Sequence, residues 1–262
     1  MTIPYYTLVL GIDARHLKQL RLTWPTWARH KPSLLKVPML VFYDREQVSP
    51  REIRETVNHP NLLSAPWPMD QVEYPADDGT KWGSQQRYKM LSGFVHVPAS
   101  LVSTPYWLKL DTVVATGKDD WIDERWFEGS PAIVAHRWSF TKPAEQILEL
   151  DRWTSYNSSR LPELSQNPPL NLVPNPGSDR VGHNRIISWC GFFNTEFTRL
   201  CSGWAIDTIG PGLLPVPSQD GFMWYCAKRG NYPIIRVNMK DRGWQQWSND
   251  ENVRKYSEEA MK

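Results

Sequence analysis

The sequence lacks the features of several large protein classes. Its 262 residues include only three cysteines, too few for a disulfide framework and without the paired spacing of a zinc site. The 30 basic and 28 acidic side chains nearly cancel, so composition gives no strong preference for nucleic acid or an anionic membrane. No apolar run reaches the roughly 18–20 residues that span a bilayer, and the first residues lack the basic region of a signal peptide. We therefore expect a soluble, cytoplasmic protein.

Motifs that mark common enzyme classes are also missing. There is no Gly-x-Gly-x-x-Gly and no Gly-Lys-Ser/Thr loop, which disfavours dinucleotide oxidoreductases and P-loop ATPases. There is no Gly-x-Ser-x-Gly elbow, which argues against an α/β-hydrolase. Tryptophan, in contrast, is abundant, with 14 residues. Most such rings pack in a core, but planar rings also stack on sugars and bases.

The first half of the chain alternates between short apolar runs and helical patterns. Strands are predicted at 6–12, 39–43, 61–65, 106–110 and 132–136. Helices are predicted after Asp13, at 50–57 and at 85–97, and the first is expected to end or kink at Pro25. This alternation predicts an α/β fold with a mostly parallel sheet covered by helices.

The second half is less regular. Helices are predicted at 144–153, 195–205 and 219–228, and strands at 185–193 and 234–238. The segment 161–182 is rich in Pro, Asn and Ser and is expected to be a long loop. The residues beyond Trp247 are charged, and we expect them to be helical or frayed.

Three predicted strands each end at an aspartate. Asp13 follows the first strand, Asp44 the second and Asp111 the strand at 106–110. In open α/β sheets ligands bind beyond the carboxyl ends of the strands, so all three are candidate site residues. Asp13 has the alternative of capping a helix, and Asp44 that of opening a turn. Asp111 follows a strand expected to be central, where an acid is costly unless it is paired or metal-bound.

Three segments, in this order, resemble the GT-A glycosyltransferases, nucleotide-sugar-dependent enzymes with a Rossmann-like half. YWLKLDTV (106–113) resembles the apolar strand that leads into their Asp-x-Asp motif, with Asp111 as the first acid and Val113 replacing the second. WCGFFN (189–194) resembles their Gly-rich strand facing the acceptor, and SQDG (218–221) resembles their acidic residue that opens a helix. The likeness consists of spaced landmarks from Tyr6 to about Arg229.

The resemblance implies a Rossmann-like three-layer sandwich forming one domain over residues 1–262. Residues 1–114, approximately, would bind the nucleotide sugar, and the remainder would bind the acceptor. The implied reaction is transfer of a hexose or related sugar from a nucleoside-diphosphate donor to a hydroxyl, with inversion favoured because Asp220 stands at the position of the base. The implied donor-binding residues are Gly11, Asp13, Asp44, Arg87 and Asp111. The implied acceptor-binding residues are Trp189, Gly191, Phe192 and Trp224.

A departing diphosphate needs positive charge beside it. Asp111, with diphosphate oxygens and water, is the expected ligand set for Mg²⁺ or Mn²⁺. The alternative is a set of cations upstream of the motif strand, Lys81, Arg87 and Lys89, among which Arg87 is preferred. No histidine follows His183, so the late histidine ligand of the family is absent. Asn238 and Asp241 are weak substitutes for it.

Other functions stay open from the sequence. A saccharide is the default acceptor. A hydroxymethylated DNA base is a less favoured one, because phosphate binding requires clustered Lys and Arg. The replaced second acid and the missing histidine also fit a catalytically silent module that binds nucleotide or carbohydrate. A nucleotidyltransferase is a third possibility, although Gly11 to Arg15 makes a poor version of the glycine-rich loop that such enzymes carry after the first strand.

Overall fold

A computed structural model describes residues 5–67, 91–117, 121–170, 180–208, 219–247 and 249–262. Its strands are β1 (Tyr6–Ile12), β2 (Met39–Tyr43), β3 (Leu62–Pro66), β4 (Tyr106–Leu110), β5 (Val114–Thr116), β6 (Ile133–Pro143), β7 (Arg180–Asn194), β8 (Ile234–Val237) and β9 (Trp244–Gln246). Seven of them form one sheet in the order β3-β2-β1-β4-β7-β6-β8, and β5 pairs with β9 in a separate small sheet.

The helices cover both faces of the large sheet. They are α1 (Ala14–His30), α2 (Pro50–Val57), α3 (Val97–Leu101), α4 (Ala144–Tyr156), α5 (Pro162–Ser165), α6 (Thr195–Thr208), α7 (Gln219–Arg229) and α8 (Asp250–Met261). A π-helical turn, Ser92–His96, leads into α3. No described helix is long and apolar enough to cross a membrane.

The order of the strands creates a switch point beside β1. The chain runs from β1 outward through β2 and β3, all parallel, and then returns to place β4 parallel on the other side of β1. β7 is antiparallel to both β4 and β6, whereas β8 is parallel to β6. The expected α/β fold with a mostly parallel sheet is therefore confirmed. The carboxyl ends of β1 and β4 lie side by side at the switch point, where ligands bind in folds of this kind.

The first half of the chain closely follows the prediction. β1, β2, β4 and α2 have the predicted bounds, and β3 is shifted by one residue. Of the expected end or kink at Pro25, the end is wrong, because α1 continues to His30, and the kink stays a prediction. Trp24 and Trp27 flank Pro25 and are both buried, and the Trp27 indole donates to the Val114 carbonyl at 2.6 Å. This packing offsets the backbone hydrogen bond that a proline cannot make.

The second half differs mainly in the length of β6 and β7. Both extend beyond the predicted strands, and residues 137–143 of β6 pair with residues 180–186 of β7 as a ribbon. β4 and β8 pair only with the parts nearer the core. A two-stranded extension needs no continuous apolar face, so its hydrophobic signal is weak. The expected loop at 161–182 is also partly wrong, because it contains α5 and the start of β7.

Two clusters of apolar residues fill the faces of the sheet. Alternation along β4 sends Tyr106, Leu108 and Leu110 to the cluster that holds α1, and Trp107 to the cluster that holds α6 and α7. Cys190, Cys201 and Cys226 are free and buried, as expected for thiols that pack as small apolar side chains.

Candidate functional site

Asp111 lies at the carboxyl end of β4, beside the switch point. Its backbone N–H donates to the Trp189 carbonyl at 2.9 Å, which fixes the end of the strand against β7. Its side chain is 32% exposed, and Lys109 Nζ lies 2.6 Å from its Oδ1. Gln246 Nε2 donates to its Oδ2 at 3.3 Å. The carboxylate is thus partly open to solvent and held from two sides.

Lys109 is the functional candidate that the sequence analysis missed. It is 5% exposed and lies in the middle of the large sheet. The other side chains of β4 are apolar. Residues two apart in a strand share a face, so Lys109 points to the same side as Asp111 and Trp107. Its Nζ lies 4.6 Å from the centre of the Phe94 ring, which the π-helical turn positions. The signal for it was a lone lysine inside the run YWLKL.

The segment Trp244–Gln246 places a C-terminal part of the chain next to Asp111. It forms β9, which pairs with β5 in the register Val114 to Gln246. The buried Lys31 anchors this segment, with its Nζ donating to the Arg242 carbonyl at 3.2 Å and lying 5.5 Å from the Trp244 ring centre. Gln246 therefore gives Asp111 a contact from this late part of the chain, and the substitution of Asn238 or Asp241 for the late histidine stays a prediction.

The Phe42 ring packs closely against the backbone of Gly11. A Cβ at Gly11 would come within 2.6 Å of the Phe42 ring, and one at Gly93 within 2.2 Å of the same ring. The absence of a side chain at Gly11 is accounted for by this close packing. Donor binding at Gly11 stays a prediction.

Asp13 and Asp44 both have local structural roles. Asp13 caps α1 by accepting from the His16 N–H at 2.9 Å. Its partial burial would raise its pKa, but hydrogen bonds and charge from His16 outweigh this and hold the pKa at about 2. The buried Asp44 accepts from the Glu46 N–H and from Gln47 Nε2. Donor contacts by Asp13 and Asp44 stay predictions.

Asp220 lies in the first turn of α7, as predicted, and is 8% exposed. Its Oδ1 accepts from the Gly221 N–H at 3.1 Å. The apolar side chains of α7, Phe222 and Met223 among them, join the same cluster as Trp107 of β4. The helix that carries Asp220 therefore packs on the sheet face to which Lys109 and Asp111 belong.

The aromatic residues expected to contact the acceptor are buried. The Trp189 ring packs at a tilt against His136, and Phe192 packs against Tyr6 and Trp121. Trp224, on α7, is 3% exposed. A sugar would reach any of the three only after neighbouring side chains moved. Gly191 lies between Lys109 and Ala135 in the register of the sheet, so it is beside the site.

The described donor set does not fit a resident divalent ion. No three His, Cys, Asp or Glu side chains gather anywhere in the described ranges. Val113 stands where the resemblance would place a second acid, and both Asp111 oxygens accept hydrogen bonds. Hard divalent ions require several oxygen ligands, and this arrangement offers one carboxylate that is already paired with an ammonium. Arg87, Lys81 and Lys89 lie outside the described residues.

The fold is shared with solved glycosyltransferases. Core-mannan synthase A from Aspergillus fumigatus, in its Mn/GDP form, has a TM-score of 0.61 and 14% identity, covering 92% of this chain and 74% of its own. A GDP-bound mannosyltransferase from S. cerevisiae has a TM-score of 0.59 and 12% identity, covering 94% of this chain and 76% of its own. A 4-diphosphocytidyl-2C-methyl-D-erythritol synthase from Anaerococcus prevotii has a TM-score of 0.50 and 9% identity, covering 99% and 97%.

No family model and no curated protein matches the sequence. The likeness is therefore one of structure, and it agrees with the segments at 106–113, 189–194 and 218–221 that first indicated it. The chain has the GT-A fold of nucleotide-sugar-dependent glycosyltransferases.

Proposed function

We propose that this protein is a glycosyltransferase that moves a sugar from a nucleoside-diphosphate donor to a hydroxyl acceptor. One observation carries the proposal: in a GT-A fold, Asp111 and Lys109 lie at the switch point, and the helix bearing Asp220 packs on the same face. The donor would lie over the carboxyl ends of β1 and β4, and the acceptor on the side of α7 and β7.

The proposed chemistry is a single displacement with inversion. The acceptor oxygen attacks the anomeric carbon, the bond from that carbon to the diphosphate breaks, and Asp220 takes the acceptor proton. The negative charge that develops on the diphosphate requires positive charge nearby.

The acceptor is proposed to be a saccharide. With 30 basic against 28 acidic residues the chain offers no general attraction to the DNA backbone, so a hydroxymethylated base is the weaker alternative. A nucleotidyltransferase is also disfavoured. Asp13 caps α1 directly after β1 ends at Ile12, which leaves no room for a glycine-rich phosphate loop between them.

The test combines donor binding with one substitution. Thermal shift with a panel of UDP- and GDP-sugars should identify a stabilising donor, because a ligand that binds only the folded state raises its stability. Asp220→Asn should bind that donor and lose roughly 10²- to 10⁴-fold in turnover, the usual contribution of a general base. Asp207→Asn, an exposed aspartate on α6, is the matched control and should turn over normally.

Three results would contradict the proposal in different ways. Full turnover in Asp220→Asn would reject the base assignment. Donor binding without turnover in the wild type, under all acceptors of a glycan panel, would favour the silent module. Absence of binding to any nucleotide sugar would reject the function itself.

A further inference from the structure

Lys109 is an unusual residue for its position. It lies in a central strand and is 5% exposed, and burying an ammonium in such a place is costly unless nearby groups compensate. Asp111 and the Phe94 ring provide compensation at 2.6 Å and 4.6 Å from Nζ. β4 thus holds a positive charge in contact with the Asp111 carboxylate.

The residue opposite Lys109 on the neighbouring strand β7 is a glycine. Lys109 lies opposite Gly191 on β7 and beside Val9 on β1. Gly191 in turn lies opposite Ala135, and a Cβ at Gly191 would come within 2.9 Å of the Ala135 Cβ. Gly191 and Ala135 are thus closely packed in the row beside Lys109.

The ion pair changes what Asp111 is able to bind. An isolated carboxylate there would attract a cation, but the ammonium already balances its charge, and Gln246 occupies its second oxygen. A divalent ion would have to displace Lys109 and would then be repelled by it. A diphosphate, in contrast, would compete with Asp111 for the Lys109 ammonium, which the fold already holds at this edge of the sheet.

We propose that Lys109 supplies the positive charge for the donor diphosphate, so that donor binding does not depend on a divalent ion. The proposal rests on the proposed glycosyltransferase function and deepens it. Lys109, fixed by Asp111 and Phe94, contacts the diphosphate, and Asp111 acts as a positioning residue that orients the ammonium.

Titration calorimetry with UDP and GDP tests the proposal, in excess EDTA and again with Mn²⁺ added. The wild-type protein should bind one of the nucleotides in EDTA, with little gain from Mn²⁺. Lys109→Met keeps the aliphatic stem and removes the charge, and it should weaken binding by roughly ten- to hundred-fold, as expected for loss of a charge-assisted hydrogen bond. Lys109→Arg should retain part of the affinity. Lys228→Met, an exposed lysine on α7, is the control and should bind as the wild type does.

The outcomes separate this inference from the function on which it rests. Binding that appears only with Mn²⁺ overturns the role of Lys109 and leaves the glycosyltransferase proposal intact. A folded Lys109→Met variant with wild-type affinity does the same. If Lys109→Met fails to fold, the wild-type comparison with and without Mn²⁺ still decides. No binding of either nucleotide under both conditions, with no shift from any nucleotide sugar, rejects the function and the inference together.

Discussion

Removing the carboxylate of Asp151 is expected to destabilise the protein by about 3–5 kcal/mol, the usual cost of leaving a buried charge without its partner. Asp151, on α4, accepts from the Tyr225 hydroxyl at 2.8 Å, and its Oδ1 lies 3.8 Å from Arg229 Nε. The Arg229 side chain is 3% exposed, so water cannot replace the lost carboxylate. Tyr225 keeps the Thr154 hydroxyl at 2.9 Å, so most of the expected cost comes from the guanidinium.

Equilibrium urea unfolding, followed by circular dichroism, measures this cost for Asp151→Ala. The double variant Asp151→Leu/Arg229→Met removes both charges and keeps apolar volume, so it should lie within about 1–2 kcal/mol of the wild type. A loss below about 1 kcal/mol in Asp151→Ala, or a double variant as unstable as the single one, would refute this reasoning. Both anchored residues lie on α7, so the same variant should also loosen the helix that carries Asp220.

Three further predictions concern stability. Burial lowers the pKa of His96 from 6.5 to about 4. Between these two pH values the unfolded chain binds a proton that the folded chain does not, so the free energy of unfolding falls as the pH falls. His96→Gln should remove up to about 3 kcal/mol of that loss, measured by urea unfolding at pH 7 and at pH 4. Gly191→Ala should lower the stability measured by thermal unfolding by about 1–3 kcal/mol, because the new Cβ would press on Ala135. Gly203→Ala, in open space on α6, should raise the stability by about 0.5–1 kcal/mol. Equal effects of the two substitutions would contradict this prediction. Ser49→Ala should cost about 1 kcal/mol because it removes the capping box of α2, and an unchanged melting temperature would show that the cap contributes nothing.

The strands around the switch point were predictable because each is an apolar run buried on both faces. The runs at 6–12, 39–43 and 106–110 give the observed bounds, and the aspartates that follow them lie at the edge of the sheet where we propose that the donor binds. Asp220 was found at the start of its helix for a similar local reason: a short polar segment precedes a long apolar one. These are properties of neighbouring residues, which the sequence displays directly.

The remainder of the site depends on contacts between distant residues. Nothing local shows that Gln246 pairs with Val114, or that Gly191 lies opposite Lys109. Lys81, Arg87 and Lys89 are the cations that the sequence places near the motif as an alternative to a metal, and they lie outside the described residues. Lys109 lies within a strand whose other residues are apolar, so the sequence alone does not single it out. Its position in the site depends on the register in which β1, β4 and β7 pair.

The hydrogen bond between Gln246 and Asp111 joins residues 135 positions apart. Closing so long a loop carries an entropic cost that grows only slowly with length, yet contacts of this kind slow the search for the native state. The large sheet also joins distant segments, as the pairing of Tyr6 with Tyr106 shows, and this edge is completed only when Gln246 reaches Asp111. Under the proposed function, a chain whose sheet forms before this contact would be spectroscopically almost native but would bind nucleotide weakly, and the two signals should recover at different rates during refolding.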